Sequence, residues 1–224
     1  MDKVKIVEIK EDITSRNNKF AANIKQMMKD KKIFYLNVMA SPGSGKTTLI
    51  LDLIKRLKDT YKIGVIEADL DSDSDALAVK QTGVRVIEMH TAGACHITCQ
   101  MSYEALIALG FEDLDIVILE NVGNLVCPAE FDTGATANLV LLSVPEGDDK
   151  PLKYPLMFEV ADIVAVTKTD VLPVFDFSFR RAKENIAKRN KTAPVFLVSA
   201  KTDDGVSELE NYLKSLIAEH LSDK

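Results

Sequence analysis

The chain has 224 residues, 46% of them hydrophobic, and its acids outnumber its bases to give a formal net charge of -6. That length suits one domain or at most two, and the composition is enough to bury a sizeable core. Lysines and acids are interspersed, which excludes the basic stripe of a nucleic-acid binder, and no apolar run reaches the roughly 18 residues of a membrane span.

In chain order, Ile13–Lys31 reads as a polar-rich helix with Asp12 as a possible N-cap, a leading element that would pack outside the core or serve a partner. Strand-like apolar runs then recur at Ile33–Met39, Ile63–Ala68, Val84–Met89, Asp115–Leu119, Leu139–Val144, Ile163–Val166 and Val195–Val198. Helical patterns alternate with them. Leu49, Ile50, Leu53, Ile54 and Leu57 form one apolar stripe, and Leu209, Leu213, Leu216, Ile217 and Leu221 form another. Continuous apolar strands separated by amphipathic helices predict an α/β fold, a mostly parallel sheet with helices on both faces.

The first core strand runs directly into Met39-Ala40-Ser41-Pro42-Gly43-Ser44-Gly45-Lys46-Thr47-Thr48, after which a helix is expected to start near Thr47. Gly43, Ser44 and Gly45 let several backbone N–H groups point into one concavity, and the helix adds its positive dipole end. Such a loop takes phosphate. Lys46 would reach the β- and γ-phosphates, and the Thr47 hydroxyl would bind Mg2+. Ala40 holds the place where this pattern usually starts with Gly; that position mainly ends the strand, so a methyl group there should cost little. The pattern is that of a nucleotide hydrolase.

Two later loops bear on the base. Thr167-Lys168-Thr169-Asp170 and Ser199-Ala200-Lys201-Thr202 each follow a strand, in the places where GTPases hold guanine. The Asp170 carboxylate can accept from guanine N1–H and N2–H2 together, a pattern adenine does not offer, and a lysine stem can lie along the base. Thr167 stands where Asn is commoner, a departure expected to loosen the loop. Residues 1–32 are accordingly read as a helical extension and 33–224 as a GTPase domain with a phosphate-binding P-loop.

Acids at strand ends would handle metal and water: Asp69, Asp75 and, most strongly, Glu120. Asp71 and Asp73 read better as a solvated face. Lys46, Asp75 and Glu120 are the candidate catalytic groups.

Three strings are rarer than any phosphate loop: Gly93-Ala94-Cys95-His96, Glu120-Asn121-Val122-Gly123-Asn124-Leu125-Val126-Cys127-Pro128-Ala129, and Glu146-Gly147-Asp148-Asp149-Lys150-Pro151-Leu152-Lys153-Tyr154-Pro155. On these the chain resembles the hydrogenase nickel-incorporation GTPases, the HypB family, from about Ile33 to Leu216. The resemblance implies a metal-chaperone GTPase of the signal-recognition-particle class that dimerises with GTP and acts in nickel delivery to NiFe hydrogenase. It also implies as partners a companion nickel-binding accessory protein and the hydrogenase large subunit.

Cys95, His96 and Cys127 offer thiolate and imidazole donors suited to Ni2+ or Zn2+, and three ligands leave a four-coordinate shell to be completed, in the family picture between two protomers. Without the resemblance, the cysteines would read as small buried hydrophobes and His96 as a loop hydrogen bonder. Cys99, four residues after Cys95, is either a further ligand on a shared helix face or a packing residue. Ile97-Thr98-Cys99 departs from the family's usual Leu-Asp-Ala continuation. The family's N-terminal cysteine motif and histidine-rich tract do not occur, so nickel storage is not expected.

Lys150 and Lys153 read as residues of a solvated loop between two strands. The resemblance places that loop at the dimer contact, with one lysine or the other reaching a partner's acidic loop. Two other functions fit the residues: a nickel GTPase serving another client such as urease, and a carrier that uses nucleotide as a clamp with negligible turnover. Urease accessory GTPases carry Cys-Pro-His, whereas this chain separates Cys95-His96 from Cys127-Pro128-Ala129. An unrelated kinase sharing the loop would not need the guanine tetrad. Met1-Asp2-Lys3-Val4-Lys5 lacks a signal-peptide pattern and three cysteines cannot all pair, so a cytoplasmic chain with reduced thiols is expected.

Overall fold

The computed structural model describes residues 9–69, 74–91 and 93–222, with side chains throughout except at 9–13, 69, 74 and 75. Its strands are β1 (Phe34–Met39), β2 (Ile63–Asp69), β3 (Arg85–His90), β4 (Ile116–Glu120), β5 (Ala137–Ser143), β6 (Ile163–Thr167) and β7 (Val195–Leu197). They form one sheet in the order β3-β2-β4-β1-β5-β6-β7, and every neighbouring pair is parallel. The helices are α1 (Ile9–Lys31), α2 (Lys46–Leu57), α3 (Ser74–Lys80), α4 (Cys99–Leu109), α5 (Cys127–Glu130), α6 (Lys150–Lys153), α7 (Pro155–Glu159), α8 (Phe179–Ala187) and α9 (Val206–Ser222).

The alternation of strand residues between faces explains the three apolar clusters. Phe34, Leu36 and Val38 of β1 point to the face covered by α2 and α9, with Leu53, Ile54, Leu209 and Leu213. Tyr35 points to the other face, where α1 and α4 cover Val117 and Leu119 of β4. Farther along that sheet, Val140, Leu142, Val164 and Val166 pack with Met157 and Phe158 of α7 and with Ala182 and Ile186 of α8. Strands buried on both sides must be largely apolar, which is why the runs at β1, β4 and β6 were readable, while the outer strands β3 and β7 are only partly buried.

Two boundaries differ from the sequence reading. α1 is already helical at Ile9, so Asp12 lies within it and does not cap it. Lys150 and Lys153 lie on the helical turn α6, because Pro151 in the first turn needs no N–H partner and fixes a helical φ.

α1 is joined closely to the sheet. Ala21, Ile24 and Met28, spaced by three and four residues, are buried in one cluster with α4 and β4. Gly134 has φ +81°, and a Cβ there would lie 2.6 Å from Ile24 Cβ. Both the left-handed backbone and the close approach demand glycine. Gly134→Ala should therefore destabilise the chain by about 1–3 kcal/mol, read as a lower urea midpoint; an unchanged midpoint would contradict this packing of α1.

Candidate functional site

The phosphate loop takes its shape from Gly43 at φ +71° and Gly45 at φ +93°, and Gly45 caps the start of α2. Ser44, 1% exposed, donates from Oγ to the Ser41 carbonyl at 2.8 Å. Ala40 is wholly buried in the α2 cluster, so its methyl group packs where the common pattern has Gly. No acid occupies the first turn of α2, leaving the helix dipole free to favour an anion. The loop is also held from outside. Glu146 accepts from Ser41 Oγ and, in a capping box, from the Ser143 N–H at 2.8 Å and hydroxyl at 2.7 Å. Sequence reasoning missed this latch, although Ser143-x-x-Glu146 is its signature.

Glu120, at the end of β4, lies beside the first turn of α2 and is 4% exposed. Thr47 Oγ1 donates to its Oε1 at 2.9 Å, and Lys46 Nζ lies 3.9 Å from the same oxygen. A hydroxyl and a carboxylate converging next to a phosphate loop are hard oxygen donors and fit Mg2+. The side chains of Asp69 and Asp75, together with Asp71 and Asp73, lie outside the described residues. The next residue, Asn121, is 1% exposed and donates to Asn37 Oδ1 at 3.0 Å, while Asn37 donates to Asn138 Oδ1 at 2.9 Å. Three amides thus tie β4, β1 and β5 together just behind the site.

A cavity of about 390 Å³ beside the phosphate loop is lined by Ser44, Gly45, Thr48, Thr167, Lys168, Asp170, Ser199, Ala200 and Lys201, among others. Ser199 Oγ donates to Asp170 Oδ1 at 2.9 Å, and Lys201 Nζ lies 3.7 Å from Asp170 Oδ2. Lys168 adopts a left-handed φ of 59° and reaches the Gly43 carbonyl at 2.6 Å. Thr167, where Asn is commoner, has a partner of its own here. It is 5% exposed, and its hydroxyl donates to the Ser44 carbonyl at 2.7 Å, joining the base pocket directly to the phosphate loop.

Cys95 and His96 precede α4, and Cys127 opens α5; their donor atoms all lie within 4.8 Å of one another. Cys95 Sγ is 2.7 Å from Cys127 Sγ and 3.8 Å from His96 Nδ1. The Cys95 thiol beside it pushes the Cys127 pKa up, and desolvation adds to this; desolvation holds the His96 pKa down against the pull of Glu130. A divalent cation would reverse the cost of crowding these donors. Phe131 stacks on the His96 imidazole, with centroids 3.9 Å apart and planes at 14°, and Asn124 donates to the Cys95 carbonyl at 3.4 Å.

Cys99 is placed differently. α4 begins at Cys99, so it shares no helix face with Cys95, and it is buried at 4% among Ile97, Ala105 and the α1 side chains. Lys153 pairs with Asp149 of its own chain at 2.5 Å, and Lys150 Nζ lies 5.0 Å from the centre of the Tyr154 ring. Leu152 and Leu156 are exposed beside them. If Cys95, His96 and Cys127 are the ligands of a divalent cation, then with Ni2+ as the probe Cys99→Ala should keep binding within about threefold, while Cys127→Ala should weaken it at least tenfold, since losing a group hydrogen-bonded to a ligand costs ~10- to 100-fold and this removes a donor. Equilibrium titration under anaerobic conditions reads both; the reverse order would overturn this assignment of the thiols.

Residues 34–197 match the family described as CobW/HypB/UreG, nucleotide-binding domain. A hydrogenase/urease maturation factor HypB of Helicobacter pylori (strain ATCC 700392 / 26695) is 43% identical over 213 residues, covering 93% of this chain and 87% of that one. A hydrogenase maturation factor HypB of Rhizobium leguminosarum bv. viciae is 40% identical over 214 residues, 96% of this chain and 72% of that one. The crystal structure of HypB from Helicobacter pylori in complex with nickel superposes with a TM-score of 0.86 at 40% identity, covering 93% and 98% of the two chains. HypB from Archaeoglobus fulgidus gives 0.84 at 31% identity, covering 91% and 99%. A signal recognition particle receptor FtsY from Elizabethkingia anophelis, at 16% identity and a TM-score of 0.56, shares the fold over 87% of this chain and 71% of that one. With the phosphate loop, the thiol-imidazole cluster and these matches in agreement, the chain belongs to the HypB family of CobW/HypB/UreG nucleotide-binding domains.

Proposed function

We propose that this protein is a GTP-hydrolysing nickel metallochaperone that dimerises with GTP and assists nickel insertion into NiFe hydrogenase. The observation that carries the reading is the gathering, at the carboxyl ends of one parallel sheet, of a phosphate loop, a cavity containing Asp170, and a soft donor group. In this reading the loop backbone from Gly43 to Gly45 and the Lys46 ammonium bind the phosphates. Thr47, Glu120 and Asp75 would hold Mg2+, which supplies charge neutralisation when bound. Asp170 accepts the guanine edge, with Ser199 holding the carboxylate in place.

Cys95, His96 and Cys127 would take Ni2+ as cargo, or Zn2+, with a second protomer completing the shell. The strip of exposed Leu152, Leu156 and Lys153 with half-buried Lys150 is the proposed dimer contact, where a lysine exchanges its partner within the chain for one across the interface. Hydrolysis is expected to be slow, and the reaction is placed in the cytoplasm with a nickel-binding accessory protein and the hydrogenase large subunit as partners. Residues 1–32 are proposed as a helical extension of the GTPase domain 33–224. Urease is a second client to weigh, since the Helicobacter pylori relatives are named hydrogenase/urease maturation factors.

GTP should bind and turn over in preference to ATP, and Asp170→Ala should lower GTP affinity about 10- to 100-fold through loss of a charged hydrogen-bond acceptor. Lys153→Ala should weaken the dimer formed with a nonhydrolysable GTP analogue more than it weakens nucleotide binding. Calorimetry, phosphate release and solution mass read these effects. ATP preference would overturn the guanine assignment, binding without phosphate release would favour the clamp reading, and an unchanged dimer would overturn the contact.

A further inference from the structure

The two segments that carry the soft donors lie about thirty positions apart, and one side chain of α1 bonds residues just beyond each of them. Asn17, in the middle of α1, is 7% exposed. Its Oδ1 accepts from the Cys99 N–H at 2.9 Å, and its Nδ2 donates to the Asp132 carbonyl at 2.8 Å. Cys99 begins α4 three residues after His96; Asp132 follows Phe131, whose ring lies on the His96 imidazole. An amide in this orientation satisfies an N–H and a carbonyl together.

We propose that Asn17 is a positioning residue for the metal cluster, fixing the Cys95–His96 segment and the Cys127–Phe131 segment at the spacing that brings their donors together. The inference rests on reading Cys95, His96 and Cys127 as the nickel ligands. Three further contacts support it. Lys25, two turns along α1, pairs with Asp132 Oδ2 at 2.6 Å, and Asp132 Oδ1 accepts from the Gly134 N–H at 2.9 Å. Gly134 in turn allows α1 to lie against this loop. The loop after Cys127 is thereby held to the helix by two side chains of opposite chemistry, one neutral and buried, one charged and half-exposed. Without Asn17, a helix N–H and a loop carbonyl lose their partner, and the segments, then held to each other by the His96–Phe131 stack and the Asn124 bond to Cys95, can shift by the few tenths of an ångström to which a coordination shell responds.

The test compares the full-length chain with Asn17→Ala and Asn17→Asp, the latter keeping an acceptor for Cys99 but losing the donor to Asp132. Nickel affinity, the thiolate-to-nickel absorption band at saturation, GDP affinity and thermal midpoint are measured under anaerobic conditions, with Cys95→Ala as the control for the ligand set. Both Asn17 variants should lose ~10- to 100-fold in nickel affinity and show an altered band, while GDP affinity stays within about twofold of native. Native nickel affinity and an unchanged band in both variants would overturn the proposal, as would a parallel loss of nickel and GDP affinity, which a merely structural role produces. If Cys95→Ala binds nickel like the native chain, the ligand assignment itself fails, whatever Asn17 does.

Discussion

The parallel pairing of β1 with β4, in which Val38 stands opposite Glu120, sets the Glu120 carboxylate beside the turn that follows β1. From there it meets Thr47 at 2.9 Å and Lys46 at 3.9 Å. The phosphate loop leaves the end of one strand and the carboxylate leaves the end of its neighbour, so their distance follows from the strand spacing rather than from loop conformation. Asn37, Asn121 and Asn138 reinforce that pairing with amide hydrogen bonds across three strands, the Asn121–Asn37 bond buried and the Asn37–Asn138 bond partly so. Polar groups so deeply placed are tolerated only when partnered, and here the partners lock the order β4-β1-β5.

The chain leaving Glu120 reaches Cys127 within seven positions, and Asn121 is fixed at the start of that stretch by its bond to Asn37. A residue facing the phosphate loop and a thiol of the soft cluster therefore belong to one short segment. Any shift of Glu120 on phosphate binding has a direct covalent route to Cys127, and the other side of the cluster is held by α4 and α1. On the proposed reading of the two sites, this arrangement supplies a physical basis for linkage between nucleotide and metal, which must act equally in both directions.

Much of the fold was legible. A strand buried on both faces has to be apolar at nearly every position, polar residues there being partnered like Asn37, so β1, β4 and β6 announced themselves, as did the stripe of Leu49, Ile50, Leu53, Ile54 and Leu57 on α2. The start of α1 was not, because an interior Asp12 and a capping Asp12 look alike in sequence. The contact of Thr167 was hidden for a related reason: its departure from the usual Asn was visible, but its hydroxyl bond to Ser44, 123 positions away, was not. Cys95 and Cys127 were recognisable by resemblance alone, since the 2.7 Å between them depends on where β3 and β4 end in the sheet. Asn17 carried no signal, for an asparagine within a polar helix gives no sign of the two loops it joins.

Nickel affinity measured with and without a saturating nonhydrolysable GTP analogue and Mg2+ tests most directly whether the two sites work as one. The account predicts a change of about fivefold or more, matched by an equal change in nucleotide affinity when nickel is added. Identical nickel affinities in both states would contradict it, leaving a phosphate loop and a thiol-imidazole cluster that share a sheet but not a function.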